Sequence, residues 1–93
     1  MVAVEDIYYA EAFGDYTKIY TKNDSFLSVK GISQLNGAIN SEVFLRIHRA
    51  HFINKNKLKE IKKVDRNNYA LLENNKCLKI SDSYMQEIKK IQF

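Results

Sequence analysis

Turn-forming residues divide most of this chain into short runs of aromatic and β-branched side chains, and that spacing favours strands over helices. Ile7-Tyr8-Tyr9-Ala10-Glu11-Ala12 is one such run, and Gly14-Asp15 ends it. Tyr16 to Thr21 and Phe26 to Lys30 follow as further strands, with Lys22-Asn23-Asp24-Ser25 supplying turn chemistry between them. Strand pattern resumes at 43–47, where Leu45 and Ile47 are expected to face one way and Arg46 and His48 the other. Phe52-Ile53 is another short apolar piece. A meander follows over 58–64, 69–73 and 77–80, with Asp65-Arg66-Asn67-Asn68 and Asn74-Asn75-Lys76 at its turns.

Two stretches depart from this pattern. Ile32, Leu35, Ala38 and Ile39 follow helical spacing, predicting a short helix over about 31–40. Gly37 within it costs about 1 kcal/mol relative to alanine, so packing must hold that helix. Tyr84, Ile88 and Ile91 form one apolar stripe, and Ser83 with Gln86 fits a capping box, predicting a second helix over 83–91.

Ninety-three residues suffice for one domain and leave no room for a second core. With no proline and three scattered glycines, no stretch has linker composition. The single Cys77 excludes an intrachain disulfide, which fits a reducing, cytoplasmic setting. No apolar run approaches the roughly 18 residues of a membrane span, and the first residues carry no signal-peptide pattern.

Catalysis needs a nucleophile with its base, paired carboxylates, a phosphate-cradling loop or metal ligands. No glycine-rich loop exists here, and the carboxylates show no motif spacing. His48 and His51, three residues apart on an extended segment, are expected to point to opposite faces and so to make a poor metal pair. The reading is a binding module, not an enzyme, without cofactor or metal.

Charge bears on the class of partner without deciding it. Between Arg46 and Arg66 lie eight basic residues and two acidic ones; the overall charge of +4 therefore divides into +6 here and −2 on the other 72 residues. A basic band on an otherwise balanced chain suits a polyanion, and a solvated lysine-rich face is the plainer alternative. Within the band, Arg49 is the residue type that reads guanine through O6 and N7. Lys55, Lys57 and Lys59 suit phosphate contact, and Arg46 adds to the same counterion-displacing set. For His48 two readings stay open, donation to a phosphate or a loop-holding bond to backbone.

The string Phe44-Leu45-Arg46-Ile47-His48-Arg49-Ala50-His51-Phe52-Ile53-Asn54-Lys55 closely resembles the centre of the LytTR domain, in which Arg-x-His-Arg-Ser follows a phenylalanine. The opening block, with Asp6-Ile7, Glu11-Ala12 and Gly14-Asp15-Tyr16, and the closing Leu78-Lys79-Ile80-Ser81-Asp82-Ser83-Tyr84 resemble that family's first and last blocks. The resemblance implies a mainly β fold: small antiparallel sheets in an elongated arrangement, with one or two short helices. It implies sequence-specific duplex DNA binding for transcriptional regulation, with loops in successive major grooves. Thr17 and Lys18 would be presented by the first loop, Arg49 with His48 and His51 by the second, and Ser81-Asp82 by the third. Asp82 departs from the family's usual arginine, and Ala50 from its usual serine. The resemblance also starts late, implying a receiver domain ahead of Met1 in a longer response regulator. Promoter direct repeats and a dimer on DNA belong to the same expectation. A sensory or protein-interaction module on the same fold is the alternative; the Lys/Arg-Gly-Phe-type strand of an RNA-recognition sheet is absent.

Overall fold

A computed structural model describes residues 4–32, 34–35 and 42–89. Among these, eight strands form two antiparallel sheets. The first sheet comprises β1 (Tyr9–Phe13), β2 (Tyr16–Tyr20), β3 (Ser25–Ser28), β4 (Phe44–His48) and β5 (His51–Asn54), in the order β3-β2-β1-β5-β4. The second is the meander β6 (Leu58–Val64), β7 (Asn67–Leu72) and β8 (Cys77–Ile80). Helix α1 (Asp82–Lys89) follows directly. The molecule is elongated, 36 × 24 × 23 Å.

Both faces of the first sheet are covered at its centre, which is why its strands carry near-continuous apolar runs. On one face Tyr9, Leu45, Ile47 and Ile53 pack against Ala70, Leu72, Leu78 and Ile80 of the second sheet and Ile88 of α1. On the other, Ile7, Ala10, Ile19, Phe44 and Phe52 are capped by Ile32, Leu35 and Val43. Phe44 and Phe52 meet edge to face at 5.5 Å, and Tyr9 stacks on Tyr20 at 4.3 Å. Burial, with Tyr20 and Glu11 adding to it, raises the Tyr9 phenol to about 12, so Tyr9 stays neutral in the core.

Tight turns set the registers. Gly14 joins β1 to β2 with φ +63°, a conformation that costs a residue without Cβ little. Between β6 and β7 the left-handed residue is Asp65 (φ 57°), and between β7 and β8 it is Asn75 (φ 69°). The sequence pattern counted Asn67 and Asn68 among the turn residues between β6 and β7. Instead, Asn67 and Asn68 belong to β7, which therefore starts two residues before the predicted 69.

The predicted helix over 31–40 is described only in part. Ile32, Gln34 and Leu35 are helical, the Leu35 amide donates to the Gly31 carbonyl at 3.0 Å, and 36–40 lie outside the described residues. The closing helix begins at Asp82, one residue before the prediction. The Tyr84 and Met85 amides both donate to the Ser81 carbonyl, so Ser81 stands at the helix entrance. Ser83 lies inside the first turn, its hydroxyl 3.0 Å from that of Ser81. The predicted end at 91 lies outside the described residues.

Candidate nucleic-acid interface

Three connections converge at one end of the first sheet: the β1–β2 hairpin, the β4–β5 turn at Arg49-Ala50, and the β8–α1 junction. Two backbone hydrogen bonds tie them together. The Ala12 amide donates to the Ala50 carbonyl at 2.8 Å, and the Ser81 amide to the Ile47 carbonyl at 2.8 Å. All three loops singled out by resemblance thus lie side by side, held by strands and not by their own side chains alone.

The β4–β5 turn is internally braced. Register slips between Arg46 and His48, so one extra residue bulges from β4. Arg46 stays opposite Phe52, whereas His48 comes opposite His51. This corrects two expectations: Arg46 and His48 do not share a face, and His48 and His51 do, their rings 5.5 Å apart. The bulge breaks strict alternation, and the tight turn brings two residues of one strand run face to face across a hairpin. Among the described residues they gather no third ligand that would make a metal site.

Arg46 donates from Nε to the His48 carbonyl at 2.8 Å and from Nη2 to the Arg49 carbonyl. Its guanidinium thus clips the turn closed. Arg49, at the tip, is exposed, and among the described residues no carboxylate pairs with it. His48 accepts the Ala50 amide on Nδ1 at 3.1 Å, which leaves Nε2 to carry the ring proton. Its pKa lies below the usual 6.5, first through burial and then through the charges of His51, Arg49, Lys79 and Arg46. His51 bonds Glu11 through Nε2 at 2.8 Å, while its Nδ1 is buried with no hydrogen-bond partner among the described residues.

Across the sheet the register forms a polar row: Lys18 opposite Glu11, Glu11 opposite His51, and His51 opposite His48. The Lys18 ammonium rests 5.4 Å from the Tyr20 ring and 6.0 Å from that of Phe13. His48, Lys79, Ser81 and Asp82 line an open depression of about 230 Å³ beside the helix start. Asp82 is exposed in the first turn of α1, where a negative charge meets the helix dipole favourably. Lys79, which the sequence reading missed, is exposed at this end. Its position as an outward residue of β8, two before Ser81, was the available signal.

Two groups of predicted residues are placed elsewhere. Thr17 is fully buried, and its hydroxyl donates to the Lys30 carbonyl at 2.9 Å. It is not presented at the surface as expected, because β2 alternation turns it onto the covered face. Lys55 and Lys57 follow β5 at its far end, where the Asn54 amide bonds the Tyr8 carbonyl. The Lys57 ammonium lies 5.2 Å from the Tyr8 ring, in a separate depression of about 360 Å³ that Asp6 and Asp24 also line. The linear basic band is therefore split by the fold.

The chain is similar to known proteins over most of its length. The family model of the LytTr DNA-binding domain matches residues 1–92, and the chain belongs to that family. It is a DNA-binding domain of the kind carried by transcriptional regulators. The transcriptional regulatory protein YpdB of Escherichia coli strain K12 is 35% identical over 68 residues, covering 73% of this chain and 28% of that protein. The heme-containing CO-sensing transcriptional regulator RcoM 2 of Paraburkholderia xenovorans strain LB400 is 32% identical over 65 residues, covering 70% of this chain and 24% of that regulator. The chain thus spans about a quarter of the length of these relatives. In fold it superposes with a TM-score of 0.89 on the LytTr DNA-binding domain of a Bacillus cereus protein described as a methyl-accepting/DNA response regulator. That match is 20% identical and covers 96% of this chain and 83% of the other.

Proposed function

We propose that this domain reads duplex DNA with the end of the first sheet where its three connections meet, as the output part of a longer cytoplasmic response regulator with a receiver domain upstream. One observation carries the reading. Two backbone hydrogen bonds, Ala12 to Ala50 and Ser81 to Ile47, hold the β1–β2, β4–β5 and β8–α1 connections against one another. Lys18, Arg49 and Lys79 stand on or beside them. Arg49 is the base reader, free at the tip and suited to guanine O6 and N7. Lys18 and Lys79 take phosphates, and His48 donates from Nε2 to a phosphate oxygen. Arg46 and His51 act indirectly, Arg46 by clipping the turn and His51 through Glu11. Asp82 serves the start of α1 through its charge on the helix dipole and does not contact phosphate, and Lys55 and Lys57 contribute at most to a flanking stretch of backbone. Promoter direct repeats would seat two copies in tandem.

Selection of bound duplexes from a randomised pool, followed by anisotropy titration with single-stranded RNA as competitor, tests this. A recovered consensus containing guanine, with binding that RNA does not displace, is expected. Recovery of no consensus, or displacement by RNA, would sink the proposal.

A further inference from the structure

Phe13 and Tyr16 face each other across the end of the β1–β2 hairpin, and both are large side chains left in water, 54% and 49% exposed. Neither packs into either core cluster. Alternation along β1 puts Phe13 on the same face as Glu11, hence one step beyond the row Lys18–Glu11–His51–His48. The patch extends onto β3, where exposed Leu27 is the cross-strand partner of Lys18. Three of the six large exposed apolar residues among the described residues thus share a sheet face with one lysine. Such grouping, unlike scattered single residues, marks a contact surface.

Its occupant follows from what it adjoins. The patch is continuous with that polar row, and the Lys18 ammonium lies 6.0 Å from the Phe13 ring, so phosphate-directed charge and apolar surface are delivered together. The apolar feature that duplex DNA offers in its major groove is the C5 methyl of thymine. We infer that Phe13 is a specificity-determining residue that packs on a thymine methyl while Lys18 beside it holds the backbone. The inference rests on the DNA reading above.

The test replaces each thymine of a duplex selected by the wild-type chain with deoxyuridine, one position at a time, removing only the methyl. Wild type should lose about fourfold in affinity at one or two positions, the effect of uncovering one methyl. Phe13→Ser, an exposed site where melting should not change, should show no loss at those positions, and Phe13→Leu an intermediate one. Wild-type indifference to every replacement would overturn the inference, whatever the variants do. So would full methyl sensitivity kept by Phe13→Ser, which would leave the patch to a protein neighbour. Both results leave the DNA reading standing; failure to select any duplex removes both.

Discussion

Arg46 and Arg49 carry the same charge three residues apart, yet the bulge in β4 gives them different tasks. Two donors of Arg46 are committed to the carbonyls of His48 and Arg49, so its guanidinium defines the shape of the turn. Hydrogen bonds from a charged donor contribute about 1.5–3 kcal/mol, and truncation leaves those carbonyls to find other partners. Arg49 has no such commitment among the described residues, and its truncation removes nothing that holds the fold. Arg49→Ala should therefore keep its melting temperature, bind DNA more weakly by about 1–3 kcal/mol, and lose discrimination at one guanine. Arg46→Ala should melt several degrees lower and weaken all sequences alike, because the tip it supports becomes loose. A melting curve beside a single-position operator library separates the pair. If Arg49→Ala destabilises the fold and keeps base preference, the roles are reversed.

At the scale of elements, the strand pattern was legible wherever a single run decided it. The limits of β6 and β8 coincide with the meander segments read at 58–64 and 77–80. What depended on a partner strand was not legible. Nothing in Arg46-Ile47-His48 announces a bulge, since a bulge exists only relative to β5. Of the candidate site, Arg49 at the tip was readable from residue type, whereas Lys79 and Phe13 gained meaning only once their strands had neighbours. Thr17 illustrates the same limit. Its burial depends on Lys30, thirteen residues away, whose carbonyl it binds across the covered face of the sheet. Thr17→Val keeps the shape and removes the donor, so an acceptor is left unpaired and stability should fall by about 1–3 kcal/mol. Thr17→Ser, which retains the hydroxyl, should lose only about the worth of one methyl, near 0.8 kcal/mol. Urea titration reads both, and DNA affinity measured under folding conditions should hardly move. Weakened binding at unchanged stability would restore Thr17 to the surface role that resemblance implied.

Across the whole molecule, the fold redistributes a charge band that looks continuous in sequence. Arg46 and Arg49 lie at the end where the loops meet; β5 then carries the chain back by about 10 Å, and Lys55 and Lys57 emerge at the other end, Lys57 beside Asp6 and Asp24. Lys59, Lys62 and Lys63 line β6, an edge strand of the second sheet, where exposed lysines discourage pairing with another chain. On the proposed DNA surface only part of the +6 band can therefore displace counterions, with Lys79 from outside the band added to it. Each phosphate contact contributes about −0.9 to the slope of log K against log salt, and exposed charges farther away than a Debye length, roughly 8–10 Å, contribute little. Replacing Lys18 and Lys79 together by glutamine should flatten that slope by up to about two units and weaken every duplex alike. The matched Lys55 and Lys57 pair should flatten it by less than about one unit, because both lie past the far end of β5 and Lys57 neighbours Asp6 and Asp24. The two double variants carry the same net charge, so a slope set by overall charge would respond identically to both. Equal slopes would show that DNA senses the molecule as a diffuse cation, and a larger effect of Lys55 and Lys57 would place the duplex on the opposite end of the sheet.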